Sequence, residues 1–468
     1  MNKLRLLSMG IAIGIAASIF AGCGGQNPTL DTTQSGAVKA GQTAASQEDQ
    51  AEKVTIQYMS WAANDEMKNQ EGAIKDFMDK NPNIEVQSQF IKYEEYGSKL
   101  NTLIAANSAP DVFYLEEFLV TDWGEKGVAI DLKPMLDKEG IKPEDKYVTG
   151  AYYTSQGKVW GISNGVTTEL LYFNKDLFKK AGVDFPSQDP SHPWTWQQYV
   201  DAAKKLTVDS KGKHPGEDGF NEKSIKTFGT LAPTSWLYAM PLLYSNNAAF
   251  GSEDGMSIGA DRPEALEVFQ AISDLMNKEH VAPTVAASKS LPGAVEMMKN
   301  GQLAMEISGT WEFGTFITEN VDVGLAPLPM FKKPVDIVWT AANVISSESQ
   351  HPEEAFKFLN FFTDYDTNIS HLKTNLPGIK EWYNADKMKL WTEDGQHNAD
   401  FKAVIPQIMT SQSLVVPENV MLKDFGKIVT QTITPTLDKL WFGKASVDDV
   451  AKEFTEKTQG MFKGRWGN

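Results

Sequence analysis

Two adjacent carboxylates, Glu116-Glu117, a serine inside Gly161-Ile162-Ser163-Asn164-Gly165, and an unusually large aromatic set are the groups best placed to do chemistry in this chain. The serine pattern is G-x-S-x-G, which can present a nucleophile if a strand precedes the serine and a helix follows it. Val166 to Phe173 reads instead as an extended apolar run, so no such turn is expected. A pair of carboxyl groups can cleave a glycosidic bond when they flank it at roughly 5–9 Å. Glu116 and Glu117 are predicted to sit at a strand end, where neighbours point to opposite faces and only one of them can face a ligand. The six histidines, at 192, 214, 280, 351, 371 and 397, show no H-E-x-x-H spacing. No G-x-x-x-x-G-K-[ST] phosphate loop occurs, so any ATPase coupled to this protein is another chain. No cofactor or metal is expected. The remaining chemistry is recognition: 12 Trp, 13 Tyr and 24 Phe supply flat apolar faces, and Asp/Glu supply hydrogen-bond acceptors.

The elements that must position these groups follow from periodicity. Val54-Thr55-Ile56-Gln57-Tyr58-Met59 reads as a strand ending at Ser60-Trp61, and the following helix carries Ile74, Phe77 and Met78 on one face up to Asn81-Pro82. A strand from Ile84, a helix with Tyr96, Leu100, Leu103 and Ile104 on one stripe, and the buried run Val112-Phe113-Tyr114-Leu115 complete a β-α-β-α-β series. Ligands of such α/β sheets bind past the carboxyl ends of the strands, where Trp61, Asp65, Glu116 and Glu117 fall. Asp65 can equally cap the next helix. Further on, Thr195-Trp196-Gln197-Gln198 matches a capping box, with Tyr199, Val200, Ala203 and Leu206 as the buried stripe. Asp261 is a candidate cap for a helix with Leu266, Phe269, Ile272 and Met276, and Pro352 opens one with Phe356, Leu359 and Phe362.

Length and charge bound the rest. The chain has 468 residues and a formal charge of −17 without a Lys/Arg-rich block, which argues against nucleic acid as a partner. From about residue 53 onward it is long enough for two lobes of ordinary domain size. At the other end, Lys3 and Arg5 precede an apolar run from Leu6 to Phe20, the layout of a secretory signal. That run is shorter than a typical membrane span. It closes on Phe20-Ala21-Gly22-Cys23, and Cys23 is the only cysteine, so it cannot form an internal disulfide. The stretch resembles the bacterial lipobox, with Phe20 in place of the usual aliphatic residue. The resemblance implies a signal over 1–22, a lipid on Cys23, and a Gly/Gln/Ser/Thr/Ala-rich tether over 23–52.

Several phrases of the remaining chain, in order, resemble those of family 1 of the extracellular solute-binding proteins of ABC importers. They are Asn81-Pro82-Asn83-Ile84-Glu85-Val86 with Ala109-Pro110-Asp111-Val112-Phe113; Gly157 to Ile162 leading to Asn174-Lys175-Asp176-Leu177-Phe178; Gly301-Gln302-Leu303-Ala304-Met305; Ser308-Gly309-Thr310-Trp311; and His351-Pro352-Glu353-Glu354-Ala355-Phe356. Phe173 departs from the family's Tyr at that place. The resemblance implies an α/β, two-lobed periplasmic-binding-protein-like fold, each lobe a doubly wound sheet with flanking helices, and a ligand cleft between the lobes. Crossings between lobes are expected near Gly165 to Glu169, Val321 to Pro329 and Thr363 to Ile369. One lobe would comprise 53–166 plus 324–368, the other 167–323 plus 369–468. The implied ligand is a carbohydrate, expected to be an oligosaccharide, and the partners are permease subunits with a separate ATPase, the protein itself being a lipid-anchored monomer on the outer face of the cytoplasmic membrane. The expected contacts are Trp61, Asp65, Glu116, Glu117 and Trp339 from the first lobe. Trp236 and Trp311 are expected from the second, with Thr167 where maltose-binding relatives carry an acid. A secreted glycoside hydrolase is the alternative reading.

Overall fold

The computed structural model describes residues 53–62, 64–364, 375–393, 395 and 397–467. Cys23 and the signal and tether segments lie outside the described residues, as does most of the expected crossing at 363–369. The chain opens with β1 (Val54–Trp61), α1 (Asn64–Lys80), β2 (Ile84–Ile91), α2 (Tyr93–Ala105) and β3 (Val112–Leu115), followed by α3 (Glu117–Glu125). β1 runs parallel to β2 from Val54↔Ile84 to Trp61↔Ile91, and parallel to β3 through Tyr58↔Val112 and Met59↔Phe113. α1 buries Ala73, Ile74 and Phe77 and stops where the Asn81 side-chain amide donates to the Phe77 carbonyl at 2.8 Å. All four residues of β3 are buried, as its unbroken apolar run requires.

This parallel core is extended by antiparallel strands. The sheet order is β2-β1-β3, then Ala342–Ile345, then β5 (Lys158–Ile162) and β4 (Tyr152–Ser155). Between β4 and β5, Gln156 and Gly157 both take positive φ (51° and 75°), the two-residue turn whose twist matches a hairpin.

The second sheet is smaller and wholly antiparallel: β6 (Glu169–Asn174) lies between Val323–Ala326 and Met305–Gly309. Phe173 faces Gly324 in that register, and a Cβ on Gly324 would lie 2.0 Å from the Phe173 ring. With Phe178 and Phe185 on its other sides, the ring fills an apolar slot closed by a glycine, and a plain phenyl suits it. Because Gly324 is the seat for this ring, Val323–Ala326 belongs to the three-stranded sheet. The chain next joins the six-stranded sheet at Ala342. Between the sheets, Thr167 bridges Trp339 and Val166 bridges Leu376, so three passing segments lie side by side.

The flanking helices follow their local signals, with one exception. Thr195 and Gln198 form the reciprocal capping box, and Tyr199, Val200, Ala203 and Leu206 are buried behind it. The helix Pro352–Thr363 begins at its proline and buries Phe356, Leu359 and Phe362. Asp261 does not cap the helix Pro263–Asn277; it accepts the Thr455 hydroxyl at 3.0 Å, and Arg262 occupies the cap position without a side-chain bond. The C-terminal part of the chain reaches back to the first lobe: Gly426 packs on Phe118 and Leu119, and the Trp466 indole donates to Asp122 at 3.2 Å.

Candidate functional site

A cavity of about 650 Å³ opens past the carboxyl ends of β1, β2 and β3, within the range of small-molecule sites. Trp61 closes β1, Tyr93 opens α2 just after β2, Tyr114 lies in β3, and Glu116 and Glu117 stand at the start of α3. Trp61 is held by three tyrosines: Tyr114 tilted at 4.5 Å between ring centroids, Tyr96 edge-on at 5.0 Å and Tyr93 edge-on at 5.6 Å. The Tyr96 hydroxyl donates to the Tyr114 carbonyl at 2.5 Å, tying α2 to β3. The Tyr93 hydroxyl donates to Glu116 at 2.7 Å.

The facing wall comes from two helix starts. Ser235 caps the helix Trp236–Ser245, accepting from the Leu237 amide, and so brings Trp236 and Tyr238 to the cavity. Trp311 and Glu312 follow the strand Met305–Gly309. Trp311 stacks against Tyr238 at 6.3 Å and 25°, and its ring lies so close over Gly309 that a Cβ there would be 2.0 Å away. The glycine of the Ser308-Gly309-Thr310-Trp311 phrase is thus explained by space: its φ of −94° is open to any residue.

The floor is made by the crossing segments. Thr167 donates its hydroxyl to the Trp339 carbonyl at 2.8 Å, and the Trp339 indole donates to Glu169 at 3.1 Å. Trp339 is 3% exposed, with the Trp236 ring perpendicular to it at 6.1 Å between centroids. Its backbone bridges Thr167.

Trp61, Glu116, Glu117, Thr167, Trp236, Trp311 and Trp339 therefore all line one cavity. The Asp65 side chain lies outside the described residues; its neighbour Glu66 lines the cavity. One expectation is corrected. Glu116 and Glu117 both reach the cavity, because β3 ends at Leu115 and strand alternation no longer applies at a helix start. Sequence reasoning missed Tyr93, Tyr114, Tyr238 and Glu312. Tyr93 stands two residues past β2, at the same strand-end level as Trp61, and Tyr238 is two residues on from Trp236. Tyr93 was open to the strand-end rule that identified Trp61.

The cavity is acidic and poorly solvated. Burial lifts Glu66 to about 7 and Glu117 to about 8, the latter helped by Glu116 and Glu169 nearby. Burial also raises Glu116, against the hydrogen bond from Tyr93, and lifts Glu169 to about 8. Ser163, by contrast, is fully buried; its hydroxyl oxygen accepts the Gly165 amide, and the chain continues extended into β6. No helix follows that serine, and no histidine lines the cavity among the described residues.

The sequence profile of bacterial extracellular solute-binding proteins matches residues 38–369. The arabinooligosaccharide-binding protein of Bacillus subtilis (strain 168) is 23% identical over 303 residues, 62% of this chain and 64% of that protein, so just under two thirds of that relative is spanned. Among solved structures, an ABC substrate-binding protein from Listeria monocytogenes in complex with cycloalternan is 26% identical with a TM-score of 0.76, covering 88% of this chain and all of that one. The maltose/maltodextrin-binding domain MalE of Bdellovibrio bacteriovorus, bound to maltotriose, shares the fold at 22% identity and a TM-score of 0.68, over 87% of this chain and 99% of that one. The two-lobed α/β architecture is the one these structures have, and the chain belongs to the bacterial extracellular solute-binding protein family.

Proposed function

We propose that the protein captures a carbohydrate, an oligosaccharide, in this cleft and delivers it to the permease subunits of an ABC importer, whose ATPase is a separate chain. The observation that carries the reading is the pairing of residue types across one cavity: tryptophan and tyrosine faces on both walls, with carboxylates between them. Pyranose rings offer C–H faces that stack on aromatic rings and hydroxyls that donate to carboxylates. The lobes, which we place at 53–166 with the returning strand Ala342–Ile345 and helix Pro352–Thr363, and at 167–326 with most of the C-terminal part, close on a ligand that touches both. Binding then shifts the population toward the closed form read by the permease. Lipid on Cys23 and the segment to residue 52 would hold a monomer at the outer face of the cytoplasmic membrane.

A thermal-shift screen over oligosaccharides tests this. At a hundredfold excess over Kd a ligand adds about 2.7 kcal/mol to native-state stability, which is read as a raised melting temperature. X-ray scattering should show compaction with the same ligand, and prolonged incubation should leave its reducing ends unchanged in number. New reducing ends would favour the glycoside-hydrolase alternative. A screen without stabilisation or compaction by any saccharide overturns the proposal.

A further inference from the structure

We propose that the protein carries a second small-molecule site, away from the cleft, that takes an organic carboxylate, and that Tyr244 and Arg465 hold its two oxygens. None of the residues lining this second cavity lines the cleft, so the proposal stands apart from the saccharide reading.

The cavity measures about 670 Å³ and is built from segments far apart in the chain. Tyr244 comes from the end of the helix Trp236–Ser245, and Arg262 stands at the start of the helix Pro263–Asn277. Lys333 precedes the short strand Asp336–Ile337, and Glu418 and Arg465 come from the C-terminal part. Val335, Val415 and Val416 give the cavity an aliphatic wall.

Two buried donors in the lining carry the argument. The Arg465 guanidinium spends its outer nitrogens within the protein. Nη1 donates to the Glu418 carbonyl at 2.8 Å, and Nη2 reaches the Ser252 carbonyl and the Glu418 carboxylate at 3.1 Å each. Its Nε–H is buried and meets no acceptor. The Tyr244 hydroxyl is likewise buried and has no hydrogen-bond partner. Both side chains line the same cavity, and Glu418, which Arg465 grips, lies beside Tyr244. Buried donors are seldom left unpaired, because each gives up its hydration without a replacement. A single group with two acceptor oxygens answers both.

Charge favours an anion over a neutral acceptor. Arg262 and Lys333 are exposed and form no ion pair among the described residues. The helix Pro263–Asn277 begins at the cavity with the positive end of its dipole, and no side chain caps it. Three acids also line the cavity. Glu253 is exposed, where solvent screens its charge, and Glu264 lies in the first helical turn, where the dipole already holds it. Glu418 is bound by Arg465, yet its side chain is 67% exposed against 19% for the arginine, so the cation lies deeper than the acid that answers it. A carboxylate places one oxygen against the Arg465 Nε–H and accepts the Tyr244 hydroxyl with the other, both charge-assisted bonds. Its carbon skeleton then lies along the valines, which offer a phosphate group nothing.

The test uses the full chain at about pH 7, where simple carboxylic acids are ionised. Butyrate, hexanoate and succinate, their amides, and inorganic phosphate are titrated in turn by calorimetry. The Arg465 Nε–H resonance is followed by nitrogen-15 NMR; the chain has only three arginines, Arg5, Arg262 and Arg465, so the signal is readily assigned. At least one carboxylate should bind, move that resonance downfield, and hold at least about tenfold more tightly than its amide. Tyr244→Phe should leave the melting temperature of the empty protein unchanged, since the hydroxyl it removes has no partner, and should weaken the carboxylate severalfold. Arg262→Gln, at an exposed position, should weaken it by a smaller factor. No carboxylate moving the resonance would overturn the site. Amides binding as tightly as their acids would overturn the charge, and phosphate binding more tightly than every carboxylate would overturn the ligand class. A carboxylate affinity unchanged in Tyr244→Phe would overturn the placement of its oxygens.

Discussion

The two walls of the cleft hold their aromatic rings by different means. On the first wall Trp61 is one member of a packed group with Tyr93, Tyr96 and Tyr114, and the group is pinned to backbone by the Tyr96 hydroxyl. On the second wall Trp311 rests on the bare Cα of Gly309 and touches one partner ring, Tyr238. The first arrangement makes ligand contact and fold stability share residues. The second separates them, because Trp311 sits on the surface of its lobe and supports little behind it. Preorganisation by a cluster and preorganisation by a single close approach should respond differently to the same substitution.

Truncating each tryptophan is the strongest way to break that contrast. Trp311→Ala should weaken saccharide binding about a hundredfold, the scale of a central aromatic anchor, and leave the melting temperature of the empty protein nearly unchanged. Trp61→Ala should weaken binding comparably and also lower stability by about 2–3 kcal/mol, since three tyrosines lose their common neighbour. Calorimetry and denaturant unfolding of the two variants read the two quantities separately. Equal stability losses on both walls would show that the distinction does not hold.

A smaller effect sharpens the second wall alone. Gly309→Ala places a methyl group 2.0–2.3 Å from three carbons of the Trp311 ring, so the ring must move off the strand. With φ at −94° the backbone itself tolerates alanine, and the loss should appear in affinity, about tenfold, with little in stability. Gly293→Ala is the control, because nothing lies within 4 Å of its added Cβ. Unchanged affinity in Gly309→Ala would mean that Trp311 has a second productive position.

How far the sequence announced this geometry depends on the range of the interaction. Strand β3 and the capping box at Thr195 are local signals, and both appear where the pattern puts them. The strand-end rule brought Trp61, Glu116 and Glu117 to the cavity without any knowledge of the second lobe. What it could not supply was contact across distant segments. The hydrogen bond from Trp339 to Glu169 joins residues 170 apart, and nothing local marks Glu169 as a floor residue. The pairing of Val323–Ala326 with β6, with the Phe173 ring lying on Gly324, is another contact across distant segments. Glu116 and Glu117 were misjudged for a local reason: one residue decides whether strand or helix geometry governs where they point.

Tyr93→Phe makes the finest cut through the first wall. The phenyl ring keeps its edge against Trp61, while Glu116 loses the hydroxyl that donates to it at 2.7 Å. Tyr93 is 58% exposed, so water can replace that donor, and the loss of affinity should be only a few fold, about 0.5–1 kcal/mol. The sign at Glu116 is more telling than the size. Burial raises this carboxyl and the Tyr93 hydrogen bond opposes it, so removing the hydroxyl should move its titration to still higher pH. Carbon-detected NMR titration of the Glu116 side chain in the two proteins measures the shift directly. A titration that does not move, or moves down, would mean that Tyr93 contributes only its ring, and the first wall would then be held by packing alone, as the second is.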